Sequence, residues 1–219
     1  MASFPALREV ASTSDPMWRT VEVCERIASV LLLVALIPLL LASAAAIRLL
    51  SGRSPLIAHR RVGWRGETLW MFKLRTMWDG PPAGGRASGL VEYVDDEAGP
   101  GEKRARDPRV ANWFARFCRR HSIDEIPQLW HVIHGEMALV GPRPVTAAEL
   151  RRYYGSYAGE VLQAKPGIAG LWQTSGRNRL TYSERLEMDL RFVRERSLGM
   201  YLRILLRTLP EVWSGANSW

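Results

Sequence analysis

The chain has 219 residues, enough for one domain with appendages and a substantial buried core. Thirty basic against 22 acidic residues give a net charge of +8 and a pI of about 10.1, which points to an anionic partner: nucleic acid, an anionic membrane surface or a phosphorylated substrate. The two cysteines, Cys24 and Cys118, make no disulfide framework and lack the set of Cys and His partners at ligand spacing that a structural zinc site needs.

The first predicted element is "IASVLLLVALIPLLLASAAAI", Ile27–Ile47, 21 residues without a charge. A straight helix of that length crosses ~30 Å, about one hydrocarbon core. A simple span conflicts with two features. Pro38 near the middle removes a helical hydrogen bond and bends or breaks the helix. Both flanks are also basic, with Arg8, Arg19 and Arg26 before and Arg48, Arg53, Arg60, Arg61 and Arg65 after, so the positive-inside rule selects no strong orientation. A helix that enters, turns at Pro38 and leaves by the same face satisfies both flanks. A cleaved signal peptide ranks last, because about 26 residues precede the apolar run and Glu9, Glu22 and Glu25 dilute the basic region.

Residues 60–80, "RRVGWRGETLWMFKLRTMWDG", mix aromatic and aliphatic with basic residues between glycines and predict a short hairpin. Lys73 and Arg75 stand two apart, on one face of such a strand. Residues 79–107 are rich in Gly, Pro and acid and read as a long mobile loop. "DPRVANWFARFCRR", 107–120, carries Val110, Trp113, Phe114, Phe117 and Cys118 at helical spacing among arginines, a basic amphipathic helix suited to a membrane interface or to covering a core, with the nine tryptophans of a basic chain favouring the interface. "SLGMYLRILLRTLPEVW" repeats that pattern near the carboxyl end, with Leu198, Tyr201, Leu202, Leu205, Leu206 and Leu209 apolar.

Between these helices lies "HSIDEIPQLWHVIHGEMALVGPRPV", 121–145, where Asp124 and Glu125 are adjacent. Neighbours on a helix point about 100° apart, so the two acids cannot serve one face. Ser122-x-x-Glu125 fits a capping box, and Asp124 could itself be the cap, with Pro127 harmless in the first turn. Arg143, fixed between Pro142 and Pro144, suits either a rigid surface turn or a preorganised fork for phosphate oxygens. The four histidines show no spacing for a metal triad; His131 and His134 flank the helix.

Four ordered segments then carry a resemblance: "FKLRTM" (72–77), "IDEIPQLWHVIHGEMALVGPRP" (123–144), "KPGIAGLWQTSGRN" (165–178) and "ERLEMDLRFV" (184–193). From about residue 17 to the carboxyl end the chain resembles the bacterial sugar transferases, the monotopic polyprenyl-phosphate phosphoglycosyl transferases, in what looks like their minimal catalytic form. His131 and Glu136 depart from the pattern, where Asn and Asp are expected.

The resemblance implies an α+β, mostly helical fold: a re-entrant membrane helix with Pro38 as its hinge, interfacial amphipathic helices and a small β-hairpin or sheet. The expected organisation is a tail over 1–16, a membrane-inserted helix over 17–50 and a cytoplasmic catalytic domain over 51–219. The resemblance also implies Asp124 as nucleophile and Glu125 as the holder of Mg²⁺. Lys73 and Arg119 match basic positions of the family's site, and with Arg75 and Arg143 they are candidate substrate contacts. Asp189 matches a second acidic motif, as a metal or substrate contact, and Arg177 and Asn178 are candidates to meet the nucleotide.

The implied partners are a UDP-sugar, undecaprenyl phosphate and the bacterial inner membrane, with no nucleic acid and with a homo-oligomer left open. The expected activity is transfer of a sugar-1-phosphate with release of UMP, opening exopolysaccharide, O-antigen or glycan assembly. The competing reading, a membrane-tethered module binding anionic lipid or nucleic acid, has only the charge in its favour, because no helix-turn-helix or RNP-type motif is present.

Overall fold

The computed structural model describes residues 15–78, 87–95, 112–175 and 180–214. Helix α1, Pro16–Ser51, starts where Asp15 accepts the Met17 N–H at 2.9 Å and Pro16 needs no donor. It ends at Gly52, whose left-handed backbone (φ 67°) lets its N–H reach the Arg48 carbonyl. At 36 residues α1 is ~54 Å long, well beyond a hydrocarbon core.

The helix continues through Pro38, so the expected break is absent; any turn there is a bend within one helix. One face buries Glu25, Ser29, Ser43 and Ile47, while Leu31, Val34 and Leu41 of the apolar stretch are about two-thirds exposed. Both ends dock on the same body. Trp18 and Val21 pack with Val140, Phe192, Tyr201 and Ile204, and Leu40, Ala44 and Ile47 pack with Leu74, Cys118 and Ile123.

The predicted hairpin is β1, Leu56–Val62, antiparallel to β2, Thr68–Leu74. Strands β3, Ala87–Ser88, and β4, Val91–Val94, complete a four-stranded sheet of order β2-β1-β4-β3, with β4 parallel to β1. These two strands lie inside the stretch read as a loop. The polar, glycine-rich composition hid the short "VEYV" run, which gains its stability from pairing with β1. The rest of that stretch lies outside the described residues, as do 108–111, Val110 among them.

Helix α2, Trp113–Arg120, begins at Asn112, whose side chain accepts the Ala115 N–H. It buries Ala115 and Cys118 and leaves Trp113 and Phe117 exposed. A 3-10 helix, Ile123–Gln128, leads into α3, Leu129–Ile133. Strand β5, Ala138–Val140, pairs in parallel with β6, Gly167–Ala169. Between them lie α4, Ala147–Glu149, which widens into a π turn over Leu150–Tyr154, and α5, Ala158–Val161. Helices α6, Tyr182–Glu195, and α7, Leu198–Ser214, close the chain. Along α7, Tyr201 and Ile204 are buried, while Leu202, Leu206 and Leu209 face outward. The fold is mostly helical with a small sheet, as expected.

Candidate active site

The acid pair stands at the start of the 3-10 segment, and the capping box does not form. Ser122 is itself left-handed (φ 53°) and caps nothing with its hydroxyl; only its carbonyl receives the Glu125 N–H, at 3.0 Å. The boxes that do form, Thr146 with Glu149 and Thr181 with Glu184, open α4 and α6. Freed from capping, the two carboxylates diverge.

Glu125 reaches β2, where Lys73 Nζ lies 2.8 Å from its Oε1, both side chains about a quarter exposed. Asp124 turns inward and is 8% exposed. Burial pushes its carboxyl up to about 6; Lys73 and Arg119 pull it down and Glu125 pushes it further up. Arg119, near the end of α2, has Nη1 3.5 Å from the Thr76 hydroxyl. One carboxylate is thus stripped of water beside two cations, and the other is partly solvated on a lysine.

Lys73 follows Leu69 and Met71 on the face of β2 packed against Val132 and Met137, so the α3 side of the core aims it. Its neighbour Phe72 gives its backbone N–H to His131 Nε2 at 3.1 Å, and His131 Nδ1 meets Glu136 Oε2 at 2.5 Å. His131 is therefore a buried, neutral histidine holding β2, with burial as the main cause of its lowered pKa. Arg75 follows β2 directly, its N–H still bonded to the Pro55 carbonyl at 2.8 Å, but it does not join Lys73 at the acid pair. Its guanidinium is buried on Glu92 at 2.5 Å and on the Ser54 carbonyl at 2.8 Å, an anchor between β2 and β4.

Arg143 belongs to a second cluster. Gly141 and Gly167 face each other so closely that a Cβ at Gly141 would come within 2.3 Å of the Lys165 carbonyl and one at Gly167 within 2.0 Å of the Gly141 nitrogen. Backbone bonds from Gly141 to Ala169 and from Gly167 to Pro142, both 2.9 Å, then lock the Pro-Arg-Pro segment onto β6. The Arg143 guanidinium lies 5.1 Å from the Trp172 ring centre, as does that of Arg185.

Asp189, 1% exposed, accepts the Tyr154 hydroxyl at 2.8 Å and the Arg143 backbone N–H, so it stands behind Arg143 as an anchor. Burial raises its carboxyl to about 7, offset in part by those two donors and by the charges of Arg143 and Arg185. Sequence reasoning missed Tyr154, Trp172 and Arg185. Trp172 and Arg185 both lie within the motifs that carry the resemblance, but nothing in their spacing pairs the one with the other. Arg177 and Asn178 lie outside the described residues.

Residues 17–215 match the family described as bacterial sugar transferase. The chain belongs to the bacterial sugar transferase family. Within it, the chain is 38% identical over 197 residues to the exopolysaccharide production protein ExoY of Sinorhizobium fredii, covering 87% of this chain and 84% of that protein. It is 40% identical over 171 residues to the UDP-galactose-lipid carrier transferase of Erwinia amylovora, covering 74% of this chain and 34% of that longer protein. It is 34% identical over 208 residues to the UDP-glucose:undecaprenyl-phosphate glucose-1-phosphate transferase of Caulobacter vibrioides, covering 90% and 71%.

A bacterial sugar transferase with this acid pair has the parts for group transfer: a buried carboxylate, a neighbouring acid and two nearby cations. Among the described residues no three His, Cys, Asp or Glu side chains form a metal cluster. A Mg²⁺ shared with a diphosphate needs only one or two carboxylates, and the part-exposed Glu125 beside Asp124 fits that demand.

Proposed function

We propose that the protein moves a sugar-1-phosphate from a UDP-sugar to undecaprenyl phosphate, at the cytoplasmic face of the bacterial inner membrane. The observation that carries this reading is the split environment of the acid pair: Asp124 buried near Lys73 and Arg119, Glu125 turned to Lys73. A carboxylate with an elevated pKa is more basic than usual and still ionised at neutral pH, as a phosphorus nucleophile must be.

An Asp124 carboxylate oxygen attacks the β-phosphorus of the donor. The bond from that phosphorus to the bridging oxygen breaks, and UMP leaves with the electron pair. The phosphate oxygen of undecaprenyl phosphate then attacks the aspartyl-phosphosugar, the phosphorus–aspartate bond breaks, and the carboxylate returns with undecaprenyl diphospho-sugar as product. Lys73 and Arg119 stabilise the charge that spreads over the phosphoryl oxygens. Mg²⁺, when bound through Glu125, would neutralise the donor diphosphate.

The docking of both ends of α1 on one body supports a re-entrant rather than a spanning helix. Trp113 and Phe117 of α2 and the outward leucines of α7 supply apolar surface for the interface. The names of the Erwinia and Caulobacter relatives support a galactose- or glucose-type donor.

The deciding experiment is Mg²⁺-dependent release of UMP from a panel of UDP-sugars with polyprenyl phosphate, joined to intact-mass analysis with donor alone. A phosphosugar adduct is expected on the wild-type chain. UMP release from none of the sugars would end the transferase reading.

A further inference from the structure

We propose that Arg143 and Arg185, both stacked on Trp172, form a two-pronged clamp for a phosphate group of a substrate. The inference rests on the transferase reading for the identity of the substrate, and on the cluster itself for the anion.

The two guanidinium groups each lie 5.1 Å from the same indole ring, and Arg185 also stacks on Tyr182 at 5.2 Å. Neither makes an ion pair among the described residues, although the nearby acids are close enough to act on them. Glu149 is occupied by the capping box of α4, where its Oε2 receives the Thr146 N–H at 2.8 Å. Asp189 is occupied by Tyr154 and by the Arg143 backbone.

Among the described residues, two donors of the cluster are left without acceptors. Trp172 is 2% exposed, and its buried Nε1 has no hydrogen-bond partner among the described residues; the Nε of Arg185 is in the same condition. An orphaned buried donor costs free energy that a bound acceptor recovers. Burial and the repulsion of Arg143 both weigh against the charge on Arg185, and an anion between them would relieve that repulsion. The occupant must therefore be anionic, rich in acceptor oxygens and able to meet planar forks, and a phosphate meets all three demands. Both forks lie over the one Trp172 ring, and the Gly141–Gly167 contact together with Asp189 fixes Arg143 from behind.

Two sources supply such a phosphate: the diphosphate of the nucleotide donor and the headgroup of the lipid acceptor. The test uses the full chain in nanodiscs. Binding of UDP is measured by titration without turnover, and KM for a short-chain polyprenyl phosphate is measured separately. Arg185→Gln is compared with Arg191→Gln, which removes the same charge from the same helix at an exposed position.

If the clamp holds the donor, Arg185→Gln weakens UDP binding roughly tenfold and Arg191→Gln does not. If it holds the acceptor, UDP binding is unchanged and KM for the lipid phosphate rises by a similar factor. Should Arg185→Gln fail to fold, Trp172→Phe keeps the ring and removes only the N–H, and a several-fold loss in the same assay is expected. Unchanged UDP binding together with an unchanged lipid KM in Arg185→Gln or Trp172→Phe would overturn the clamp. UDP binding that depends on Arg185 in a chain that transfers no sugar phosphate would keep the clamp and discard the transferase reading.

Discussion

His131 and Glu136, where the resemblance predicts Asn and Asp, meet each other at 2.5 Å. The pair holds the Phe72 N–H one residue before Lys73, and so helps aim Lys73 at Glu125. His131→Phe keeps a ring against Phe72 but orphans that N–H, at about 1–3 kcal/mol. We expect a loss of kcat in His131→Phe that disappears in a Lys73→Ala background, because the histidine acts through the lysine. Equal losses in both backgrounds would mean that His131 serves only the core.

Asp124 should govern both chemistry and pH response. Asp124→Asn is expected to abolish turnover and the phosphosugar adduct together while the protein stays folded and membrane-bound. In the wild type the rate should rise with pH through about 6 and then level, as the carboxyl ionises in its setting of Lys73, Arg119, Glu125 and the buried Cys118. Its folded pKa is raised from 3.8, so folding holds the proton more tightly and the wild type loses stability as pH climbs between those values. The asparagine variant carries no such charge. It should therefore be the more stable protein at pH 7, by up to about 3 kcal/mol, and the gap should narrow toward pH 4 in thermal melts. An adduct that persists in Asp124→Asn would move the nucleophile elsewhere.

Glu125→Gln should lower activity and raise the Mg²⁺ concentration needed for half-maximal rate, since an amide lacks the charge a hard cation favours. A Mg²⁺ titration run on both proteins decides this. Superimposable curves would leave Glu125 as a partner for Lys73 alone.

Arg75 and Arg119 should separate by phenotype. Arg75→Ala leaves Glu92 buried without its partner and is expected to destabilise the fold by about 3–5 kcal/mol. Arg119→Ala, at the half-exposed end of α2, should leave the melting temperature nearly unchanged and slow the reaction. Thermal melts beside single-turnover rates would show whether the two effects split this way.

In a Cys24→Ser background, cysteines introduced by Pro5→Cys and Ser88→Cys should both be labelled from the cytoplasmic side. Pro38→Leu restores the missing N–H and should stiffen α1, pushing some molecules toward a true span with the amino end outside. Periplasmic labelling of Pro5→Cys in the unmodified helix would exclude the re-entrant arrangement and leave the enzyme reading intact.

Local chemistry made much of this legible in sequence. An uncharged 21-residue run, a Gly-bounded hairpin and two amphipathic stripes each report their element through periodicity, which depends only on neighbours along the chain. The acid pair was legible for the same reason: two adjacent carboxylates diverge on any backbone. What tertiary structure alone decided was which partners they met. Arg75 was taken by Glu92, which the pairing of β4 with β1 brings within its reach. Ser122 lost its capping role because its own backbone turned left-handed. The loop around residue 91 became a strand because β1 offered it an edge, and Arg143, Arg185 and Trp172 converged because two facing glycines let β5 and β6 close. These contacts join residues far apart in the chain, and no spacing along it encodes which of two equally charged side chains the fold will bury.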